Sequence, residues 1–292
     1  MLITLLKKGN LKDKLAILEL PLPVSSPKVE ADRLRDLQFY APNCALAFDP
    51  WQKALKIYQE ISDKENQAVI LEKLGNAYYC LSDYTNAINS YDQASTIAQK
   101  HNYREIQARN ISNIGSVYNS LADYNQAIKY YEEALKLLQQ QDTQLKAEIL
   151  RGRGNVYNYQ GKYNEAIQDY SQALAIDQNL QNASGIAKNK VNLANVYYAL
   201  GDYSKAIQYY KETLDLTPSE SLAGLGNTYL SLGDTAKAIE FHNQSLAKAR
   251  QNEDKEAEGN ALNNLAYALI KLNNLPEAEK NIFEAIKIWV NC

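Results

Sequence analysis

Small and apolar residues recur along this chain with the spacing of one helix face. Around residue 75 a first set falls at i, i+3, i+4 and i+7, which places its members on one side of an α-helix: Leu71, Leu74, Gly75 and Tyr78. A second set follows a short polar break and predicts a second helix: Ala87, Ile88, Tyr91 and Ala94. The pattern therefore predicts a helical hairpin.

This hairpin pattern occurs six times. Its small residue is found, in chain order, as Gly75, Gly115, Gly154, Ala194, Gly226 and Ala266. The intervals are 40, 39, 40, 32 and 40 residues, and this regularity is typical of repeat arrays whose units pack on their neighbours. The breaks agree, because Gly161, Gly201 and Gly233 suit the residue after a helix. Asp202 and Asp234 suit the cap of the next helix.

Tyrosine is frequent in this chain and recurs at one place in the second helices. The chain contains 22 Tyr but only 4 Phe, and one Tyr recurs at a fixed place in four hairpins: Tyr91, Tyr131, Tyr170 and Tyr210. We expect this stripe to be core, with the hydroxyls reaching a rim or a partner. His242 takes the same place in the fifth hairpin.

Arg153 interrupts an otherwise apolar position of the first helices. The other five copies have Leu or Ile there. The favoured explanation is a side chain that extends to the rim, and the alternative is a specific ion pair. Under the first explanation, a leucine at this position would stabilise the fold.

The residues of the first hairpin resemble the motif of the tetratricopeptide repeat family. Leu74, Gly75 and Tyr78 match its first helix, and Ala87, Tyr91 and Ala94 match its second. The resemblance implies an all-α fold, a right-handed superhelical solenoid of antiparallel helix hairpins that binds proteins or peptides. The basic unit of the family has about 34 residues, so intervals near 40 resemble its long-repeat members, such as kinesin light chain, bacterial scaffolds and peptide-sensing regulators.

The resemblance predicts the organisation of the chain. Residues 63–292 form six repeats, and residues 28–62 form a degenerate first repeat whose first helix runs from about Pro27 to Tyr40. Residues 1–27 form a leader or linker, in which a short helix near residues 11–20 is an open alternative.

In this family, the first helices line a concave groove that holds the ligand. The resemblance places these residues of the chain in the groove: Asn76, Arg109, Asn119, Arg151, Asn155, Asn158, Lys188, Asn195, Tyr198 and Asn227. Asparagine is a mediocre helix former, so its recurrence needs a reason. Either the amides hold a peptide backbone, or they bind a neighbouring repeat and stabilise the stack. Both explanations stay open, and they are compatible.

Arg109, Arg151 and Lys188 concentrate positive charge in the middle of this groove. We therefore expect an extended or helical ligand segment with acidic character. The family's clamp for chaperone tails is not expected, because Glu220 and Gly224 stand where a third repeat would need bases.

Composition and charge argue against other classes of function. With 31 basic and 34 acidic side chains, the chain has no basic excess for nucleic acid and no general attraction to anionic membrane. It contains no apolar stretch near the ~20 residues of a membrane span, so a soluble, cytoplasmic protein is expected. Cys44, Cys80 and Cys292 lack metal-ligand spacing, and we expect reduced thiols.

Catalytic chemistry is not indicated either. The two histidines, His101 and His242, have no acid or cysteine at metal or triad spacing, and there is no phosphate-binding loop. The sequence predicts no catalytic residue, no metal site and no cofactor, and hence a protein that is not an enzyme.

Three functions remain. The first is a scaffold that binds a protein or peptide in its groove. The second is a peptide-responsive regulatory module that controls an effector domain or partner. The third is a self-assembling structural repeat protein. Ile286, Ile288, Trp289 and Val290 leave an apolar C-terminal edge, which predicts self-association or an attached domain there. The convex face is the alternative place for a ligand.

Overall fold

The computed structural model describes residues 26–39, 43–138 and 143–291. These residues form one 3-10 helix, Asn43–Ala47, and fourteen α-helices: α1 (Pro27–Arg35), α2 (Phe48–Glu60), α3 (Lys64–Cys80), α4 (Tyr84–Lys100), α5 (Arg104–Ser120), α6 (Tyr124–Leu137), α7 (Gln144–Tyr159), α8 (Tyr163–Asn179), α9 (Ala183–Ala199), α10 (Tyr203–Lys211), α11 (Pro218–Ser231), α12 (Thr235–Gln251), α13 (Lys255–Lys271) and α14 (Leu275–Asn291). The described residues contain no strand, so the predicted all-α array of antiparallel helix hairpins is confirmed. The predicted leader lies almost wholly outside the described residues.

The chain divides into two compact units, residues 1–106 and 107–292. In the first unit, α1 and α2 pack against α3 around Trp51, Tyr58 and Ile70. Helix α1 ends at Arg35, short of the predicted Tyr40, because the chain leaves the helix so that Phe39 packs edge-on against Trp51, with ring centroids 5.5 Å apart.

The prediction of reduced thiols is wrong for two of the three cysteines. Cys44, in the 3-10 helix, and Cys80, the last residue of α3, form a disulfide with an S–S distance of 2.00 Å. They are separated by 36 residues in sequence, and packing of the helices brings their Cα atoms to 6.3 Å. Such a pair has no local motif, which is why the sequence did not predict it. Cys292 lies outside the described residues.

In the second unit, nearly all of α5 and the helices α6–α14 follow one another as hairpins. First helices also contact each other across hairpins, as α7 does with α9, α9 with α11, and α11 with α13. The 32-residue interval has a clear origin, because α10 has only 9 residues and Pro218 starts α11 early. No described helix is both long and apolar enough to cross a bilayer.

The turns combine two capping devices. Between α9 and α10, the amide of Gly201 donates to the carbonyl of Tyr198, and that of Asp202 donates to Tyr197. This closes α9 as a Schellman motif. The Asp202 carboxylate then accepts from the amide of Lys205 and caps α10. The predicted roles of glycine and aspartate at this turn are thus present.

The tyrosine stripe is buried, as the sequence predicts. Tyr91, Tyr131, Tyr170 and Tyr210 are each at most 4% exposed. The ring of Tyr170 lies against Gly154 so closely that a Cβ atom there would collide with it. This close approach explains why a helix interior tolerates glycine, which is about 1 kcal/mol worse than alanine there.

The favoured explanation of Arg153 is wrong, and the ion-pair alternative is correct. Its guanidinium donates two hydrogen bonds, of 2.8 and 2.7 Å, to the buried Asp169 carboxylate on α8. Burial raises the pKa of Asp169, although both hydrogen bonds act to lower it. In three of the other five hairpins the position of Asp169 carries an aromatic residue, as in the stacked pair Tyr197–Tyr209. The cation and the anion therefore replace an apolar pair together.

Candidate functional site

Nine of the ten predicted groove residues lie on α5, α7, α9 and α11 of the second unit. We call the face that carries them the A-helix row. The tenth, Asn76, lies on α3 in the first unit. The row has these members: Arg109, Asn119, Arg151, Asn155, Asn158, Lys188, Asn195, Tyr198 and Asn227.

Two asparagines of the row are held by the tyrosine stripe. The hydroxyl of Tyr170 donates to Oδ1 of Asn155 at 2.7 Å, and the hydroxyl of Tyr210 donates to Oδ1 of Asn195. In the first unit, Tyr91 makes the same bond with Asn76 at 2.7 Å. In every case the tyrosine lies 15 residues after its partner, on the second helix of the same hairpin.

These bonds fix which end of each amide is available. The Tyr210 hydroxyl occupies the carbonyl oxygen of Asn195, while no described residue accepts from its Nδ2 group. Because the side chain of Asn195 is exposed, its two N–H groups can donate to a carbonyl of a bound chain. The oxygen thus stabilises its own hairpin, and not the contact with a neighbouring repeat that the sequence offered as one explanation, while binding of a ligand by the nitrogen stays a prediction.

Arg151 is engaged inside the protein. Its Nη1 atom lies 3.1 Å from Oδ2 of Asp177 and donates at 2.9 Å to Oδ1 of Asn189. Asp177 is fully buried and also accepts from the side-chain nitrogens of Asn189 and Asn182, at 2.8 and 2.7 Å. This network joins α7, α8 and α9, and it gives Arg151 a structural role whether or not a ligand also contacts it.

The other cations and amides of the row differ in their surroundings. Lys188 is exposed, and no described residue pairs with its amine. Arg109 is half-buried and interacts within the protein. Oδ1 of Asn119 is buried and has no hydrogen-bond partner among the described residues, and Asn158 is half-buried. Lys188 is therefore the cation of the row most accessible to an anionic group.

Three members of the row meet at one pocket. Asn195, Tyr198 and Asn227 line a cavity of about 460 Å³ between α9, α10 and α11, together with Tyr210 and Glu220. The hydroxyl of Tyr198 lies 3.0 Å from Oγ of Ser231, which fixes this ring at the pocket wall. The pocket coincides with the shortened 32-residue interval.

His242 breaks the pattern of the stripe. It lies 15 residues after Asn227, where three other hairpins place a tyrosine hydroxyl on an asparagine. The imidazole is fully buried, and neither ring nitrogen has a hydrogen-bond partner among the described residues. Burial lowers its pKa to about 4. The ring is therefore neutral at pH 7.

The sequence reasoning missed several residues of this region. The constant 15-residue offset between asparagine and tyrosine was visible and would have indicated their hydrogen bond. Asp177 and Asn189 gave no such signal, because their network spans two hairpins and occurs only at this junction. Within the described ranges, no group of three or more His, Cys, Asp or Glu side chains is placed to hold a metal ion.

A family model described as tetratricopeptide repeat matches residues 104–179, 145–219 and 217–289. A second model with the same description matches residues 70–102. No curated protein matches the chain.

Several solved structures have a similar fold. BtubC (BKLC) from P. vanneervenii is 23% identical with a TM-score of 0.62, and the match covers 71% of this chain and 91% of that one. The apo form of RapI is 16% identical with a TM-score of 0.66, covering 84% and 69%. A Rap protein complexed with competence and sporulation factor is 19% identical with a TM-score of 0.63, covering 96% and 80%. At these identities, the likeness shows the fold alone.

Proposed function

Because the chain belongs to the tetratricopeptide repeat family, we propose that it is a protein-binding scaffold whose A-helix row holds an extended or helical segment of a partner. The observation that carries this proposal is the fixed orientation of two row asparagines, Asn155 and Asn195. Tyr170 and Tyr210 occupy the oxygens of Asn155 and Asn195, so the amide N–H groups are preorganised for the carbonyls of a bound chain. Groups fixed before binding lose less entropy when the ligand arrives.

The proposal includes an acidic group in the ligand. Lys188 is exposed and has no anionic partner among the described residues, so an acidic side chain of the ligand would find an unpaired amine. The positive charge of Arg151 contributes less than the sequence indicated, because Asp177 already pairs with it.

This acidic preference is tested with peptides selected from a random-sequence display library on the wild-type chain. We expect selected peptides to carry acidic residues and to bind Lys188→Gln about tenfold more weakly, the loss typical of one charge-assisted contact. The matched control is Lys129→Gln, which removes an exposed lysine from the second helix α6. Equal affinity for both variants would exclude an acidic contact at Lys188.

A peptide-responsive regulatory role is the alternative for the same row. The similar Rap structure was solved as a complex with competence and sporulation factor, which gives a precedent within this fold. The two roles differ in whether a selected peptide changes the binding of a second protein. An equilibrium affinity for a co-purified partner that is the same with and without saturating peptide would favour the simple scaffold.

A second binding face on α14 is favoured by its exposed apolar residues. Ile286 and Trp289 are 46% and 45% exposed. The equivalent residues one repeat earlier, Leu246 and Ala249, are 8% and 0% exposed because α13 covers them. The α14 face thus has the pattern of a surface that packs on a hairpin of this same repeat type, which a second copy of the chain supplies.

Self-association through α14 is tested by light scattering. We expect a mass above the 32.9 kDa of one chain at high protein concentration, and a single-chain mass for Phe283→Ser combined with Val290→Ser. These two side chains are 65% and 79% exposed, so their replacement should leave the fold intact. A single-chain mass for the wild type would exclude self-association.

We further propose a non-catalytic role and keep the cytoplasmic location as part of the proposal. The Cys44–Cys80 disulfide counts against that location, because disulfides are rare in the cytosol. Alkylation of the native protein before and after reduction, in separated cell fractions, tests the location and the oxidation state of the two cysteines. A disulfide-bonded form found only outside the cytoplasmic fraction would overturn this location.

A further inference from the structure

The pocket between α9, α10 and α11 carries a charge that the fold does not use. Glu220 lies on its wall and is exposed, and no cation among the described residues pairs with it. The amine of Lys190 on α9 is engaged with Glu212 at 2.7 Å. Among the described residues that line the pocket, Glu220 is the only charged one. The pocket is therefore an acidic cavity without an internal counter-ion.

The rest of the lining suits a long, partly apolar side chain with a cationic end. Val191 and Ala223 offer apolar surface, and the half-buried Tyr198 offers an aromatic ring. Oδ1 of Asn195 accepts from Tyr210, which leaves its nitrogen as a donor toward the ligand backbone. The volume of about 460 Å³ falls within the roughly 300–1,000 Å³ range of small-ligand pockets.

We propose that this pocket receives a basic side chain, arginine in preference to lysine, from the segment bound along the A-helix row. The inference rests on the proposed function and deepens it. The guanidinium forms a charge-assisted pair with Glu220, and its planar face packs on a tyrosine ring, which the ammonium of lysine does less well. The ligand then carries an acidic group for Lys188 and a basic group for Glu220.

The position of Glu220 in its helix also gives it a structural role that is distinct from ligand binding. The residue lies in the first turn of α11, where a carboxylate stabilises the helix dipole by about 0.3–1 kcal/mol. Glu256 provides the matched control, since it is an exposed glutamate in the first turn of α13 and lies outside the pocket lining. A dipole effect alone would make both glutamates equal in stability measurements and irrelevant to binding.

The test uses small probes, so that it does not require a peptide to bind the row. N-acetyl-arginine amide is titrated into the isotope-labelled full chain and followed by NMR shifts, beside the uncharged isostere N-acetyl-citrulline amide. We expect the arginine probe to shift pocket resonances and the citrulline probe not to. Glu220→Gln should weaken the arginine probe about tenfold, as for loss of one charged hydrogen bond, and Glu256→Gln should not weaken it.

The outcomes separate this inference from the proposed function. Equal binding of the two probes, or unchanged arginine affinity in Glu220→Gln, would overturn the basic pocket even if display-selected peptides bind the row. Conversely, arginine binding that depends on Glu220, combined with no contact between selected peptides and the row asparagines, would retain the pocket and overturn the groove function.

Discussion

At the scale of single residues, His242 is a buried imidazole at a position where four other hairpins have tyrosine. Burial lowers its pKa to about 4, whereas an unfolded histidine has a pKa near 6.5. At pH values between these two pKa values, the histidine binds a proton in the unfolded chain but not in the native chain. Stability from the neutral ring is thus present above about pH 6.5 and is lost as the pH falls toward 4.

The variant His242→Tyr should remove this acid sensitivity. The tyrosine restores the hydroxyl that other hairpins direct at the asparagine 15 residues earlier, here Asn227, and Gly226 already leaves room beside the ring. Between pH 7 and 5 the wild type should lose about 2 kcal/mol more than the variant, measured by urea unfolding. Parallel pH profiles would show that His242 does not set the acid sensitivity.

Arg153 gives the second residue-scale prediction. Removing one partner of a buried ion pair costs about 3–5 kcal/mol, so Arg153→Leu should destabilise the fold. Adding Asp169→Tyr should restore most of the loss, because one repeat later the same positions carry Leu193 and Tyr209, and Tyr209 packs against the core cluster that contains Leu193. Urea unfolding of both variants measures this. A stable Arg153→Leu protein would show that the pair contributes little.

At the scale of elements, ten turns of the described residues place one residue in the left-handed region. In the turn after α9 this residue is Gly201, with φ +78°. In the turn after α5 it is Ala122, with φ 58°. A non-glycine residue in this conformation costs roughly 1–2 kcal/mol. Ala122→Gly should therefore raise the free energy of unfolding by about 1 kcal/mol, with part of the gain offset by the flexibility of glycine when unfolded.

The control for this prediction is Gly201→Ala. A Cβ atom at Gly201 would meet no atom within 4 Å, so any loss of stability there reports backbone conformation alone. Chemical unfolding of the two variants should give shifts of opposite sign. A decrease for Ala122→Gly would mean that loop flexibility outweighs the strain at this turn.

The helices also show what a sequence can and cannot predict. The hairpins, their capping turns and the buried tyrosines follow from local spacing, because each depends on residues within one repeat. Arg153, Arg151 and the Cys44–Cys80 pair depend on which residues face each other across elements. Asp177, for example, lies 26 residues after its partner Arg151. Such partners are identifiable only from the positions of the helices in the structure.

At the scale of the whole molecule, family membership accounts for the repeat architecture. Which ligand binds depends on the side chains that are exposed on that architecture. Nine of the ten predicted groove residues lie on first helices of the second unit, and the structure divides them by role. Arg151 is tied into a buried network, and Lys188 is exposed and unpaired among the described residues. Glu220 adds a negatively charged site, whereas in the sequence analysis it served only to argue against the clamp for chaperone tails.

The central claim is that the row asparagines bind a partner chain through their amide N–H groups. Asn155→Asp tests it most directly, because the carboxylate still accepts from Tyr170 but no longer donates to a ligand. Asn243→Asp, on the exposed face of α12, adds the same charge elsewhere. The measurement is the Kd of a display-selected peptide for the wild type and both variants, each with its melting temperature. We predict unchanged melting, and at least about tenfold weaker binding for Asn155→Asp alone. Equal affinity for both variants would contradict recognition through the asparagine row.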